Sequence, residues 1–356
     1  MARIKFGDRW LQVESLLANT AITPLSAQEN SALQFYKGWL NGQQEFSFKT
    51  SGSTGVPKEI TFSRTQLEAS ANLTINAIGL NSSDVALLCL PVENIAGAMM
   101  IVRCILAKVD LIITKPSSNP FFNLEEKVTF IAMTPYQLKT TLETELRKVS
   151  ELRIALIGGA EIPQPLISKL NKFSTTFYAT FGMTETISHI ALRKINGPDC
   201  QDYYILLDGI TASVDNRKCL IIYAPHLNNP IATNDIIKLY KNGFKWLGRY
   251  DRVVNSGGLK ILVEELESKV ADIFVGLEIK NRFFITGMVS HNFGTEVVLI
   301  IEGESLEKEI EHDLMKACLS QLGKYRTPKS VMYIPKFEET ESGKVDYLET
   351  EKLLRK

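Results

Sequence analysis

Short runs of β-branched and apolar residues alternate with longer amphipathic stretches along most of the chain. Four runs with the composition of buried strands are Val85–Leu90, Leu111–Thr114, Thr129–Ala132 and Ile154–Ile157. Stretches with the polarity of surface helices or their connections are Glu125–Glu126, Tyr136–Val149 and Pro165–Leu170. This alternation predicts an α/β fold with a mostly parallel sheet.

A helix is predicted to begin at Ser63, because Ser63 and Gln66 form a capping-box pattern. Apolar residues then recur at every fourth position from Leu67 to Ile75, which is the spacing of one helix face. A Gly-rich loop at 50–58 and a short strand precede this helix, so the chain passes from loop to strand to helix.

The pattern changes beyond Gly248. The elements predicted there, after a Gly-Gly turn, are a helix around Glu264–Ile273, strands Asn281–Thr286 and Glu296–Ile301, and a charged helix Ser305–Leu322. This is the pattern of a smaller α+β unit. We therefore predict a large N-terminal domain at 1–249 and a small C-terminal domain at 250–356.

The balance of charges excludes several classes of protein. The chain has 40 Lys+Arg and 40 Asp+Glu, whereas a nucleic-acid binder would show a basic excess and a disordered chain a strong net charge. Apolar stretches such as Ile95–Val102 are far shorter than the roughly 18 residues of a membrane helix. Arg3, Lys5 and Asp8 occupy the place of a signal peptide's apolar segment. We expect a soluble cytoplasmic protein.

Cysteines and histidines give no metal or hydrolase signature. The five cysteines are an odd number with no C-x-x-C pair, and the four histidines show no H-E-x-x-H spacing. There is also no G-x-S-x-G elbow. We interpret the cysteines as small apolar residues and expect no structural zinc.

The Gly-rich loop has the chemistry of an anion cradle. Its candidate phosphate ligands are Thr50, Ser51, Gly52, Ser53, Thr54, Gly55 and Lys58. Backbone N–H groups freed by glycine, hydroxyl groups and one ammonium suit a polyphosphate. The spacing is not that of a Walker A loop, since Lys58 comes three residues after Gly55 and is followed by Glu59. The alternative is a Ser/Thr/Gly-rich surface turn.

This run, TSGSTGVPK, resembles the phosphate loop of the adenylate-forming superfamily, which comprises acyl- and aryl-CoA ligases, peptide-synthetase adenylation domains and luciferases. Motifs similar to three others of the superfamily follow in order: Phe181–Glu185, Gly248–Glu267 and Thr340–Lys344. Four ordered motifs between residues 50 and 344 make a chance match improbable.

The resemblance implies a reaction with ATP, Mg²⁺ and CoA. A carboxylate is a poor acyl donor, and joining it to the α-phosphate of ATP makes AMP the leaving group; the charge that develops at phosphorus needs cations. In this family Glu185 would supply an oxygen ligand to Mg²⁺ and Thr184 a hydroxyl beside the α-phosphate. Phe181 and Gly182, with the Gly159-Ala160 turn, would contact adenine.

Further roles follow from the same resemblance. Asp235 would accept hydrogen bonds from both ribose hydroxyls, with Arg249 at the ribose or phosphates, and Asp251 would be the hinge. The alternative for Asp235 is an Asx-turn between strands. Lys344, on a Gly-flanked loop, would stabilise the adenylation transition state and leave when the small domain rotates. Two glycines, Gly257 and Gly258, would line the CoA tunnel or form only a tight turn.

Arg103 interrupts an otherwise apolar helix, and a buried guanidinium needs an anion partner. The partner is either a protein carboxylate or a carboxylate of the substrate. Arg103 in this helix, Ser188 in the run Gly182–His189 and the short N-terminus together are similar to the compact members of the o-succinylbenzoate–CoA ligases of menaquinone biosynthesis. The resemblance implies that Arg103 holds the benzoate carboxylate, which is not activated.

The chain departs from the family at several positions. The phosphate loop begins near residue 50, so the extra N-terminal subdomain of most members is expected to be missing. Asn234 replaces a glycine, Phe181 stands where tyrosine is common, and Asn94 stands where many members have histidine. No charged catalytic position is lost, and we expect activity.

The expected partners are therefore a small-molecule carboxylic acid, ATP and CoA, with no nucleic acid and no membrane insertion; homo-oligomer formation is left open. Other hypotheses are another aryl- or acyl-CoA ligase, an adenylation enzyme serving a carrier protein, or a non-catalytic adenylate-binding relative.

Overall fold

The computed structural model describes residues 2–17, 26–49, 58–290, 294–339 and 345–354. These residues divide into two compact units. Unit 1 comprises Met1–Ala212, Ile222–Ile231 and Tyr240–Phe244, and unit 2 comprises Ser213–Ile221, Ala232–Leu239 and Lys245–Lys356. Unit 2 thus includes three segments from before residue 250, and the domain boundary predicted between 249 and 250 stays a prediction.

The helices and strands are as follows. Helices are α1 (Ala27–Leu40), α2 (Arg64–Ile78), α3 (Ile95–Ala107), α4 (Pro135–Thr144), α5 (Leu146–Glu151), α6 (Gln164–Leu170), α7 (Val263–Gly276), α8 (Lys308–Leu322) and α9 (Tyr347–Leu354). The first ten strands are β1 (Arg3–Phe6), β2 (Arg9–Gln12), β3 (Glu45–Lys49), β4 (Glu59–Ser63), β5 (Val85–Leu88), β6 (Asp110–Ile113), β7 (Phe130–Met133), β8 (Ile154–Ile157), β9 (Thr176–Gly182) and β10 (His189–Lys194). The others are β11 (Tyr204–Leu206), β12 (Thr211–Val214), β13 (Cys219–Tyr223), β14 (Ile231–Tyr240), β15 (Gly243–Arg249), β16 (Val254–Ser256), β17 (Leu259–Ile261), β18 (Phe283–Ser290), β19 (Gly294–Glu302) and β20 (Ser330–Ile334).

Unit 1 is built on a large, mostly parallel sheet, as predicted. Nine of its strands are hydrogen-bonded in the order β11-β10-β9-β8-β7-β5-β6-β1-β2. The six strands from β9 to β1 in this order pair in parallel, and β2, β10 and β11 add antiparallel pairs at the ends. The four predicted strands are confirmed with end shifts of two residues or fewer.

Two hydrophobic clusters pack helices onto this unit. One joins Leu87 and Ile131 of the sheet to Leu138 of α4, Val149 of α5 and Leu170 of α6. The second joins the separate β3–β4 hairpin to α1, α2 and α3. Because side chains alternate across a strand, Ala86 and Leu88 of β5 point to the other face, and α3 lies against that strand.

The predicted start of α2 is confirmed in detail. The Ser63 hydroxyl accepts a hydrogen bond from the Gln66 N–H at 3.3 Å, and the Gln66 side-chain oxygen accepts from the Ser63 N–H at 2.9 Å. These reciprocal bonds satisfy two N–H groups that a helix terminus otherwise leaves unpaired. The loop, strand and helix order is therefore established from residue 58 onward.

Unit 2 contains a smaller three-stranded sheet of order β18-β19-β20. On one face, Ile285, Val297 and Leu299 pack with residues of α7 and α8. On the other face, Phe284 and Val298 pack with residues around α9. The alternation of successive residues between the two clusters follows the two-residue period of a strand, and the predicted small α+β unit is confirmed. No helix within the described ranges is both long and apolar enough to cross a membrane.

Candidate active site

The carboxyl ends of β8 and β9 form one edge of the candidate site. Ile157 pairs with Ala179, so the turn Gly158–Ala160 lies beside the end of β9. A Cβ atom on Gly158 would lie 2.2 Å from the Thr180 hydroxyl oxygen, and Gly159 has φ +85°. The positive φ of Gly159 therefore favours glycine, and a side chain at Gly158 would require the Thr180 hydroxyl to move. Ligands of open α/β sheets bind beyond the carboxyl ends of parallel strands, and this edge suits the predicted adenine contact.

An aromatic cluster supports Phe181 at this edge. The Phe181 ring meets Phe244 edge-on with centroids 4.9 Å apart, and Tyr204 with centroids 5.6 Å apart. Tyr204 and Phe244 are paired residues of β11 and β15. Phe181 itself is half-buried, which leaves ring surface for a flat base. Sequence reasoning missed Tyr204 and Phe244, because their contact depends on a strand pairing that no local pattern marks.

The turn after β9 carries Thr184 and Glu185. It is a short 3₁₀ helix, Thr184–Thr186, closed by the Thr186 hydroxyl, which accepts from the Met183 N–H at 2.9 Å. Glu185 is exposed at this turn. Magnesium is held in proteins by one or two carboxylates together with substrate phosphates and water, so a single exposed glutamate fits this ion. Among the described residues no three potential metal ligands cluster.

The residues after this turn are held in a tight corner. Ile187 is fully buried with φ +68°, a conformation that costs energy for a β-branched residue. A Cβ atom on Gly182 would lie 2.4 Å from the Cα atom of His189. The register of β9 and β10 also shifts between His189 and Ala191. The backbone thus fixes the place of Ser188 and His189.

Arg103 projects from α3 to this corner. It is 2% exposed, and its Nη2 donates to the Ser188 hydroxyl. The described residues contain no carboxylate in ion-pair distance of Arg103, and its Nε has no hydrogen-bond partner there. Burial lowers the pKa of Arg103 to about 10, so it remains a cation at neutral pH. The structure therefore brings Arg103 and Ser188 together, and their role in binding the substrate stays a prediction.

Residues 50–57 of the predicted phosphate loop, Thr50 to Gly55 included, lie outside the described residues. The ends of the loop are described: Lys49 of β3 pairs with Glu59 of β4, so the loop connects the strands of a hairpin. Lys58 is exposed at its end.

In unit 2, Asp235 is 6% exposed and accepts a hydrogen bond from the Trp246 indole N–H at 2.9 Å. Its backbone N–H donates to the Thr233 hydroxyl at 3.0 Å. Burial raises the pKa of Asp235, while the Trp246 hydrogen bond acts in the opposite direction. Trp246 orients the carboxylate with one oxygen engaged. No sequence signal pointed to this tryptophan.

The hinge motif forms a compact ion pair. Arg249 donates to Asp251 through Nε at 3.0 Å and Nη2 at 2.7 Å, and this contact lowers the pKa of Asp251. Gly257 and Gly258 have φ +56° and +81° and join β16 to β17 as a two-residue hairpin turn. The structure therefore has the tight turn, and the CoA-tunnel role of these glycines stays a prediction, as does the hinge role of Asp251.

Lys344 lies outside the described residues. The loop that carries it is closed at both ends by a bridge between Glu339 and Val345. Glu339 also accepts a hydrogen bond from Arg282 at 2.6 Å. The two residues that flank positions 340–344 are therefore paired with each other. The catalytic role of Lys344 stays a prediction.

The chain is similar to several known proteins. The family described as "AMP-binding enzyme" matches residues 48–206. The 2-succinylbenzoate–CoA ligase of Bacillus cereus (strain ATCC 10987 / NRS 248) is 25% identical over 346 residues, which cover 85% of this chain and 70% of that protein.

Solved structures are also similar. An acyl-CoA synthetase (AMP-forming)/AMP-acid ligase II-like protein from Dyadobacter fermentans DSM 18053 is 36% identical with a TM-score of 0.63, covering 94% of this chain and 97% of that chain. The o-succinylbenzoate coenzyme A synthetase from Bacillus subtilis, in complex with ATP and magnesium ion, is 19% identical with a TM-score of 0.73, covering 86% of this chain and 69% of that chain. At this lower identity the likeness concerns the fold.

Proposed function

Because the chain belongs to the AMP-binding enzyme family and is an AMP-forming ligase of the acyl-CoA synthetase class, we propose that it is an o-succinylbenzoate–CoA ligase of menaquinone biosynthesis, acting in the cytoplasm. The observation that carries the choice of acid is the buried Arg103, which has no carboxylate partner among the described residues and donates to Ser188. Relatives named 2-succinylbenzoate–CoA ligase support the same choice.

The reaction proceeds in two transfers. The succinyl carboxylate oxygen attacks the α-phosphorus of ATP, pyrophosphate leaves and an acyl-adenylate forms. The sulfur of CoA then attacks the acyl carbon and AMP leaves. The first transfer develops negative charge on the phosphates, which the 50–58 loop, Thr184 and Lys344 would stabilise. Mg²⁺ on Glu185 would supply further positive charge there.

Candidate nucleotide contacts are found in each unit considered by itself. In unit 1, Phe181 offers an apolar face for adenine beside the turn Gly158–Ala160. In unit 2, Asp235 offers a carboxylate oxygen to the ribose hydroxyls, since Trp246 engages the other. Arg249 lies in the same unit, paired with Asp251.

A second carboxylate on the acid would account for the burial of the Arg103 guanidinium without a carboxylate partner among the described residues. A guanidinium in this apolar helix is costly to bury alone, and a benzoate carboxylate would give it the missing charge partner. Ser188 adds a hydroxyl at the same place. An acid without this carboxylate would leave the buried positive charge of Arg103 without an anion partner. The energetic cost of that unpaired charge would make the enzyme prefer acids that carry a second carboxylate.

A panel of acids tests the proposal. Pyrophosphate release and thioester formation are measured with o-succinylbenzoate, its analogue without the ring carboxylate, benzoate and short fatty acids. We expect o-succinylbenzoate to have the highest kcat/KM in both assays. Preference for another acid would assign another acyl-CoA ligase, release of pyrophosphate without CoA transfer would favour a carrier-protein adenylation enzyme, and no turnover of any acid would favour a non-catalytic adenylate-binding protein.

A further inference from the structure

A line of four polar side chains leads from α2 to Arg103. The Thr74 hydroxyl oxygen lies 2.9 Å from Nε2 of His189, and Nδ1 of His189 lies 3.4 Å from the Ser188 hydroxyl oxygen. Ser188 accepts from Nη2 of Arg103. Thr74 is fully buried and His189 is 9% exposed, so these groups exchange few hydrogen bonds with water.

The chemistry of the groups sets the direction of the hydrogen bonds. Burial, and then the charge of Arg103, lower the pKa of His189 well below its usual value, so its ring is neutral. A neutral imidazole has one donor nitrogen and one acceptor nitrogen. Arg103 can only donate, so the Ser188 oxygen accepts from it. If that oxygen also accepted from Nδ1, the Ser188 proton would have no acceptor among the described residues, whereas Nδ1 itself can accept it. With the Ser188 proton on this bond, the His189 proton lies on Nε2 and is donated to Thr74.

The backbone holds the middle of this line independently of the side chains. Gly182 packs against the Cα atom of His189, and Ile187 is held at positive φ by its fully buried position. Removing the Thr74 hydroxyl therefore changes the orientation of the His189 and Ser188 polar groups rather than the path of the chain.

We propose that Thr74 and His189 are positioning residues that orient the Ser188 hydroxyl as an acceptor for Arg103 and so determine the preference for an acid with a second carboxylate. They act without touching the substrate. With Nη2 engaged by Ser188, the guanidinium is held in one orientation, and its buried Nε has no hydrogen-bond partner among the described residues. The inference rests on the proposed function of Arg103 and deepens it.

The test compares three threonine variants. Thr74→Val keeps the shape and removes the hydroxyl, Thr74→Ser keeps the hydroxyl, and Thr141→Val is a matched control. Thr141 is also fully buried on a helix, α4, and its hydroxyl bonds only the Gln137 carbonyl in its own helix. Thr74→Val is expected to raise the KM for o-succinylbenzoate about 3- to 10-fold, the effect of one lost hydrogen bond. The KM for ATP and the kcat should stay within about twofold.

Thr74→Ser should restore the wild-type preference for o-succinylbenzoate over the analogue without a ring carboxylate, and Thr141→Val should not alter it. In a Ser188→Ala background, Thr74→Val should have no further effect, because it acts through Ser188. An unchanged preference in Thr74→Val, or an equal loss in Thr141→Val, would overturn the inference. So would additive effects of Thr74→Val and Ser188→Ala.

A spectroscopic measurement needs no substrate and separates this inference from the proposed function. Nitrogen-15 spectra of the His189 ring in the wild-type enzyme should show a neutral ring with its proton on Nε2. In Thr74→Val the two tautomers should become more evenly populated. A proton on Nδ1, or a charged ring at neutral pH, would overturn the inference even if o-succinylbenzoate is the substrate. If the acid panel selects another acid, the proposed function fails, and the predicted tautomer still tests the hydrogen-bond line.

Discussion

Arg103 of α3 donates from Nη2 to the Ser188 hydroxyl, at a corner that follows the motif carrying Thr184 and Glu185. The two residues are 85 positions apart in the chain. Their contact joins a helix of the hydrophobic interior to the predicted adenylation motif. The residue that would recognise one carboxylate of the substrate is therefore hydrogen-bonded to a residue directly after the motif that would activate the other carboxylate.

Removing the buried histidine should change how stability depends on pH. The folded pKa of His189 is lowered, so below its unfolded pKa, about 6.5, the unfolded chain takes up a proton that the folded chain does not. Stability is therefore lost as pH falls through about 6.5 and on towards the lower folded pKa, by at most about 1.4 kcal/mol per pH unit from this group. Urea unfolding of the wild type and His189→Gln should show a smaller loss in the variant. Parallel pH curves would show that His189 does not titrate in this way.

Asp235→Asn should weaken ATP binding about 10-fold or more, since the ribose hydroxyls lose a charged acceptor. Trp246→Phe is the matched variant: it keeps an aromatic ring, removes the indole donor at 2.9 Å together with part of the ring volume, and should weaken ATP binding less. Calorimetric titration with ATP measures both, and affinity for the acid should be little changed. Unchanged ATP affinity in Asp235→Asn would remove this residue from the nucleotide site.

Phe244→Leu should raise the KM for ATP about 2- to 10-fold, because Phe181 loses an edge-on ring contact that holds its orientation. Phe177→Leu is the control, since Phe177 is also fully buried and lies on the same strand as Phe181, and its ring meets that of Phe173 edge-on. Both variants should lose stability, and only Phe244→Leu should affect ATP. Equal effects on the KM for ATP would mean that general loosening of unit 1 is responsible.

Lys344→Ala should abolish adenylate formation while a preformed acyl-adenylate is still converted to the thioester, because the charge that this lysine is proposed to stabilise develops in the first transfer. The exposed Lys336, before the same loop, provides the control variant Lys336→Ala, which should retain both half-reactions. Single-turnover assays of each half separate them. Similar losses in both half-reactions would assign Lys344 a different role.

Local patterns in the sequence were sufficient to predict several elements of the fold. The buried strand Ile154–Ile157 and the capping box at Ser63 are determined by neighbouring residues, and both are confirmed. The charge of Arg103 in an apolar helix was likewise visible, because a buried cation is anomalous wherever it occurs.

Contacts between distant residues could not be predicted in the same way. The pairing of Tyr204 with Phe244, the indole donor on Asp235 and the line from Thr74 to His189 all depend on which strands and helices become neighbours. Thr74 is an ordinary polar residue of an amphipathic helix, and only packing places its hydroxyl against a buried imidazole. The secondary structure was therefore more predictable than the long-range contacts that hold the site residues in place.

The most direct test of the account is the acid preference of Arg103→Ala. The kcat/KM of wild type and variant is measured with o-succinylbenzoate and with the analogue that lacks the ring carboxylate. We predict that Arg103→Ala lowers kcat/KM for o-succinylbenzoate by a free energy on the order of 2–5 kcal/mol and lowers it little for the analogue. The substitution in the enzyme and the missing carboxylate in the analogue should have overlapping rather than additive effects, because both remove the same contact. An equal loss for both acids would contradict the account and show that Arg103 does not bind the substrate's second carboxylate.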